Sequence, residues 1–236
     1  MMTCAEVLAE LERLGTAQTK KTLMRHGAPE PLFGVRIGDM QPLRKRIGKS
    51  RGLANELFST GNSDAMYLAG LIADEAAMTK KDLEAWLKGA TWHMVSECTV
   101  APVAAETPHG WALGRKWIES RKEAVAATGW STLSACVSIA PNETLDTEEL
   151  QSLVDRVAET IHSQANRVRY CMNSFVACVG VYVPELTDHA LAAAKSIGKV
   201  EVDMGETECK VPSIAEMIGK VGARGTIGKK KKQARC

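Results

Sequence analysis

No apolar run in this 236-residue chain approaches the roughly 18 residues that a membrane-crossing helix needs. The amino terminus carries Glu6, Glu10 and Glu12 among its apolar residues, which is not the layout of a signal peptide. No membrane partner is expected, and the expected address is cytoplasmic, nucleoid-associated in a prokaryote. The seven cysteines (Cys4, Cys98, Cys136, Cys171, Cys178, Cys209 and Cys236) are odd in number and contain no Cys-x-x-Cys pair, so they are read as free, buried thiols. His26, His93, His109, His162 and His189 are dispersed and none is read as a ligand. No metal and no cofactor are expected; of a Cys/His cluster assembled only by folding, Cys209 and Cys236 would be the nearest members. Hairpin signals are missing as well. Gly228-Lys229 resembles the end of a phosphate-binding loop, but Ala223 stands where its first glycine belongs and Lys230 where a Ser or Thr is required, so that loop is rejected.

What the chain does have is helices. Hydrophobic residues make up 45% of it, enough for a sizeable core. Thr3 and Glu6 form a capping box before Val7, Leu8, Leu11 and Leu14, and Gly15 closes that helix. Thr16 to His26 is a second. Asp39 is expected to cap a third, with Pro42 in its first turn and Gly48 as a stop. Further short helices run through Leu53, Leu57 and Phe58, from Ser63 to Ala73, from Thr79 through Leu87, from about Thr91 to Ala105, and through Trp111 to Ile118. A long one spans 122 to 140 and stops at Pro141; Asp146 and Glu149 start another that ends at Ile161. The segment 165 to 183 is apolar nearly all round and long, which places it as a central helix rather than a strand. Pairs of helices recur every 35 to 45 residues or so, the period of helical-hairpin arrays. The expected division is a helical repeat domain over 1–200 and a C-terminal extension over 201–236, extended, packed in places and mobile at its end.

The formal net charge of +2 conceals segregation. From Lys20 to Arg51 there are nine Lys/Arg against two acids, and from Gly219 to Cys236 seven against none. The stretch Gly52 to Met217 carries thirteen bases and twenty-three acids. Two basic ends on an acidic body suggest a footprint for phosphate. The side-chain candidates are Arg44, Arg46, Lys49, Arg167 and Arg169, together with Lys229, Lys230, Lys231, Lys232 and Arg235 of the tail.

Phe33-Gly34-Val35, Pro42-Leu43-Arg44, the helix from Met66 to Asp74, Leu83-Glu84-Ala85-Trp86, Trp92 and Ala127 to Leu133 together resemble the AlkD-like DNA alkylation repair proteins, over about residues 5 to 200. The resemblance implies an all-α, HEAT-like αα superhelix acting on duplex DNA through its backbone phosphates; composition adds an extended basic C-terminal tail, and a monomer is expected. It also implies hydrolysis of the N-glycosidic bond of N3- or N7-alkylated purines. In that family an aromatic cradle and a carboxylate stabilise the oxocarbenium-like transition state, supplied by a Trp, an Asp one helical turn later, an Arg and a second Trp.

Residue by residue, the match is partial. Trp92 occupies the first Trp position. Ser96 stands at the Asp position and cannot supply a negative charge, leaving Glu97, about 100° further around the helix, as the nearest carboxylate. The Arg position falls within Ala124 to Gly129, which holds no Arg, and the second Trp falls near Asn173-Ser174-Phe175. A catalytic set of Trp92, Glu97 and Ser96 therefore stands beside a plainer alternative, in which Trp92 is core packing like the other tryptophans and the protein is a non-catalytic HEAT-like scaffold for a protein partner.

Overall fold

The computed structural model describes residues 2–235; Cys236 lies outside the described residues, and with it that half of the Cys209/Cys236 pairing. The described residues are helices joined by turns, with no strand among them. They gather into two compact units. One comprises residues 2–109, Gly205–Glu208 and Arg235, the other Gly110–Met204 and Cys209–Ala234.

The first unit is built from α1 (Cys4–Leu14), α2 (Ala17–Arg25), α3 (Ile37–Ile47), α4 (Arg51–Ser59), α5 (Ser63–Ile72), α6 (Lys80–Gly89), α7 (His93–Val95) and α8 (Ala101–Glu106). Capping sets most of these starts: Thr3 and Glu6 form the expected box at α1, and Thr79 and Asp82 form another at α6. At α3 the expectation needs correction. The helix begins at Ile37, two residues before Asp39, and Arg36 at its N-cap makes no side-chain cap. The cause lies in α5. Both carboxylate oxygens of buried Asp64 accept backbone N–H bonds from Phe33 (2.6 Å), Gly34 (2.9 Å) and Val35 (2.9 Å), which holds the chain extended up to Val35 and releases it into helix directly afterwards. Pro42 consequently sits inside α3 rather than in its first turn. Phe58 of α4 stacks on Trp86 of α6 with centroids 4.4 Å apart, and the Trp86 indole N–H donates to Asn55 at 2.8 Å.

The second unit contains α9 (Gly110–Ile118), α10 (Glu123–Ile139), α11 (Thr147–Thr160), α12 (Asn166–Tyr182), α13 (Thr187–Ile197) and α14 (Ile214–Gly222). As its all-round apolar sequence predicts, α12 is central, with Val168, Met172, Phe175, Val176 and Val179 in the core and Phe175 tilted against Trp130 of α10 at 5.1 Å. Cys136 and Cys171 are buried free thiols, whereas Cys98 and Cys209 are exposed, contrary to expectation. Burial pushes the Cys136 and Cys178 thiols up to about 12, which leaves them inert packing groups.

Candidate nucleic-acid interface

Trp92 closes the turn between α6 and α7. Its indole N–H donates to the His26 carbonyl at 2.9 Å, and its ring meets His93 edge-on. The helix that follows is not regular. Ser96–Val100 forms a π turn between α7 and α8, in which the Ala101 N–H reaches back five residues to the Ser96 carbonyl. Pro102 supplies the reason: it has no N–H for a bond four residues back, and its ring would press on the Cys98 carbonyl in a regular helix. The turn packs on α5 at Gly70, where an added Cβ would lie 2.4 Å from the Thr99 methyl.

Ser96 thus falls one turn beyond Trp92, its N–H bonded to the Trp92 carbonyl at 3.0 Å, but it is only 2% exposed and its hydroxyl donates to the His93 carbonyl. Glu97, next along, is half-buried. Beside Trp92 the structure forms a small apolar recess of about 40 Å³ whose walls include Leu23, Ile37, Met40, Tyr67 and Met94. Ser63 also lines it. That side chain is 4% exposed and its hydroxyl has no hydrogen-bond partner.

The predicted basic residues meet different fates. Arg46 pairs with Glu10 at 3.1 Å, and Lys49 pairs with Glu75. Arg44 is half-buried and donates to Gln41. Arg167 stacks over Tyr170, 4.4 Å from the ring centroid, at the start of α12, where its own N–H donates to Glu123 at 2.7 Å. Two residues on, Arg169 reaches Asn166 only at 3.5 Å, and its buried Nε has no partner. Sequence reasoning placed Lys45 in water, as it is, but did not single out Lys21, Arg25 and Arg36, which are exposed as well. Only the excess of bases over Lys20 to Arg51 pointed to them.

The tail is packed against the second unit for part of its course. Gly228 N–H donates to the Val181 carbonyl and Lys231 N–H to the Ser138 carbonyl, both at 2.8 Å. Lys230 turns inward: its ammonium donates to the Val137 carbonyl in the last turn of α10 and lies 6.0 Å from the Tyr182 ring, and burial lowers its pKa. Lys229, Lys231 and Lys232 remain exposed. Arg235 departs from the expectation of a mobile, phosphate-binding end. Its side chain is 7% exposed, donates to Glu106 at 2.6 Å and to Glu75 at 2.7 Å, and covers the open Gly70 and Ala73 carbonyls at the end of α5. A long cation that satisfies two carboxylates and a helix C-terminus at once is more stably placed there than in water.

No group of three or more His, Cys, Asp and Glu able to hold a metal ion occurs among the described residues. The family model for DNA alkylation repair enzymes matches residues 7–202. An uncharacterized protein of Listeria innocua is 33% identical over 230 residues, covering 95% of this chain and 99% of its own length; one from Listeria monocytogenes is 32% identical with the same coverage. A solved structure, described as a new family of proteins related to the HEAT-like repeat DNA glycosylases with affinity for branched DNA structures, is 36% identical, covers both chains fully and superposes with a TM-score of 0.93. With an all-helical HEAT-like repeat fold and a match over most of its length, the chain belongs to the DNA alkylation repair enzyme family.

Proposed function

We propose that this protein is a structure-selective DNA-binding member of its family that engages branched DNA through backbone phosphates and does not excise alkylated purines. The observation that carries the reading is Ser96. The position at which the family's resemblance calls for a carboxylate holds a hydroxyl that is buried and already bonded to the His93 carbonyl. Excision of a cationic purine depends on preorganised negative charge near the sugar, and the half-buried Glu97 lies on a neighbouring face of the helix. The affinity for branched DNA that describes the 36%-identical structure supports the choice of substrate.

The phosphate contacts fall to exposed cations, Lys21, Arg25, Arg36 and Lys45 in the first unit and Lys229, Lys231 and Lys232 in the second, with the half-buried Arg167 at the start of α12 beside them. Arg46 and Lys49 can join at small cost, because exposed ion pairs contribute little and exchange readily for phosphate.

Fluorescence anisotropy with a four-way junction and a linear duplex of equal length tests the reading, alongside a glycosylase assay on duplexes carrying N3- or N7-alkylpurines. Tighter binding to the junction, a steep fall in affinity with salt and no base release are expected. Replacing Lys229, Lys231 and Lys232 with Gln lowers the salt slope by about one for each phosphate that is no longer neutralised. Base release that Glu97→Gln abolishes would instead establish Trp92 and Glu97 as a working catalytic pair.

A further inference from the structure

Resting on the branched-DNA reading above, we infer that the recess beside Trp92 is a seat for one unpaired nucleobase at the branch point. The base lies across the mouth of the recess and its exocyclic group points inward to Ser63.

Three observations converge on this. First, the described residues include only three large exposed hydrophobics, and two of them, Met24 (46% exposed) and Ile37 (39% exposed), belong to the α2 and α3 segments that wall the recess. Ile37, an apolar side chain left in water at the wall of an open hollow, marks a contact surface rather than a solvated face. Second, the hollow is about 40 Å³, too small to enclose a base but large enough for an amino, carbonyl or methyl substituent. Inside it, the Ser63 hydroxyl lacks any partner. A buried hydroxyl without a hydrogen bond is costly, and a base edge would supply the bond. Asp64, on the same wall, already accepts the Phe33, Gly34 and Val35 N–H groups, so the Ser63 hydroxyl is the polar group left without a partner.

Third, the chain positions next to Met24 and Ile37 carry uncommitted positive charge. Arg25 follows Met24 and Arg36 precedes Ile37; both are exposed, and neither side chain has a hydrogen-bond or ion-pair partner among the described residues. An apolar seat on helices that also carry free guanidinium groups suits a flat aromatic ring on a phosphate chain and disfavours an apolar peptide. A fully paired duplex keeps its bases stacked and has nothing to place there; a branch point does. The seat therefore accounts for selection by shape without reading sequence.

The test uses three-way junctions bearing at the branch either one unpaired adenine, one unpaired 2-aminopurine or an abasic residue, with the full-length protein. Parent protein should bind the adenine junction about tenfold more tightly than the abasic one and should change 2-aminopurine fluorescence at saturation. Ile37→Ser, at an exposed position of the recess wall, should lose that tenfold while retaining affinity for linear duplex. Ser63→Ala should lose most of the discrimination among unpaired bases. If the junction is preferred over duplex but the abasic branch binds equally well, the seat is overturned and the function reading stands. If no preference for the junction exists at all, both fall. Self-association that disappears in Ile37→Ser, with DNA binding unchanged, would identify a second copy of the chain as the occupant and also overturn the proposal.

Discussion

Ser96 and Arg235 show how far one residue's meaning depends on what surrounds it. From sequence alone Ser96 is a vacancy one turn beyond Trp92 that an aspartate would fill. In the structure it is packed and faces the His93 carbonyl oxygen, so Ser96→Asp would bury a carboxylate beside an acceptor. A loss of about 3 kcal/mol or more is expected in urea denaturation, with no gain of base excision; a stable variant that cleaves alkylpurine duplexes would refute this. Arg235→Ala removes the partner of Glu106 and uncovers the Gly70 and Ala73 carbonyls, and a comparable loss of about 3 kcal/mol is expected. The same cluster carries a pH signature. Burial pushes the Glu75 carboxyl up, but hydrogen bonds from Lys49, its own backbone and Arg235 outweigh that and hold it near 2 against an ordinary 4.5. A carboxylate depressed in the folded state contributes stability that is present above 4.5 and lost as pH falls through about 2. Thermal melts from pH 6 to pH 2 should therefore show a steeper decline for the parent than for Arg235→Gln. Nothing in the sequence near Arg235 signals this role, since Glu106 lies 129 residues away.

Among the elements, those built by local rules were legible. The capping boxes at Thr3 and Thr79, the Asp146 cap, the break at Pro141 and the apolar α12 all act over a few residues and appear where the sequence places them. The start of α3 and the π turn were not legible, because distant contacts shape them: Asp64 holds the extended segment before α3, and α5 accommodates the Pro102-induced turn through Gly70. Close helix approach gives another such case. At Gly129 of α10 an added Cβ would lie 2.6 Å from the Ile118 N and 2.9 Å from the Trp117 carbonyl carbon, while Gly114 of α9 meets Leu133 at 2.8 Å. Backbone cannot yield as a flexible side chain can, so Gly129→Ala should destabilise by about 1–3 kcal/mol despite the better helix propensity of alanine. Gly129→Ala proving neutral would mean that α9 and α10 can separate freely. Asn62→Ala, which removes a side chain that caps both Asp64 and Ala65 N–H groups at the start of α5, should cost about 1 kcal/mol in the same assay.

At the scale of the whole molecule the expected behaviour is that of a helical DNA binder. Far-ultraviolet circular dichroism should show helix without appreciable β content, and substantial β content would contradict the fold. Sequence by itself determined the all-helical class, the order of most elements and the basic bias of both ends, because hydrophobic period, capping and composition are local or additive properties. Only the tertiary structure decided which cations are committed and which face water. Arg46 is taken by Glu10, Lys230 by the Val137 carbonyl and Arg235 by Glu106, while Arg25 and Arg36 remain open. Likewise, only folding brings Leu23, Ile37, Ser63 and Trp92 around one recess. Ion pairing and cavity shape depend on which distant segments meet, and no periodicity along a single chain encodes that meeting.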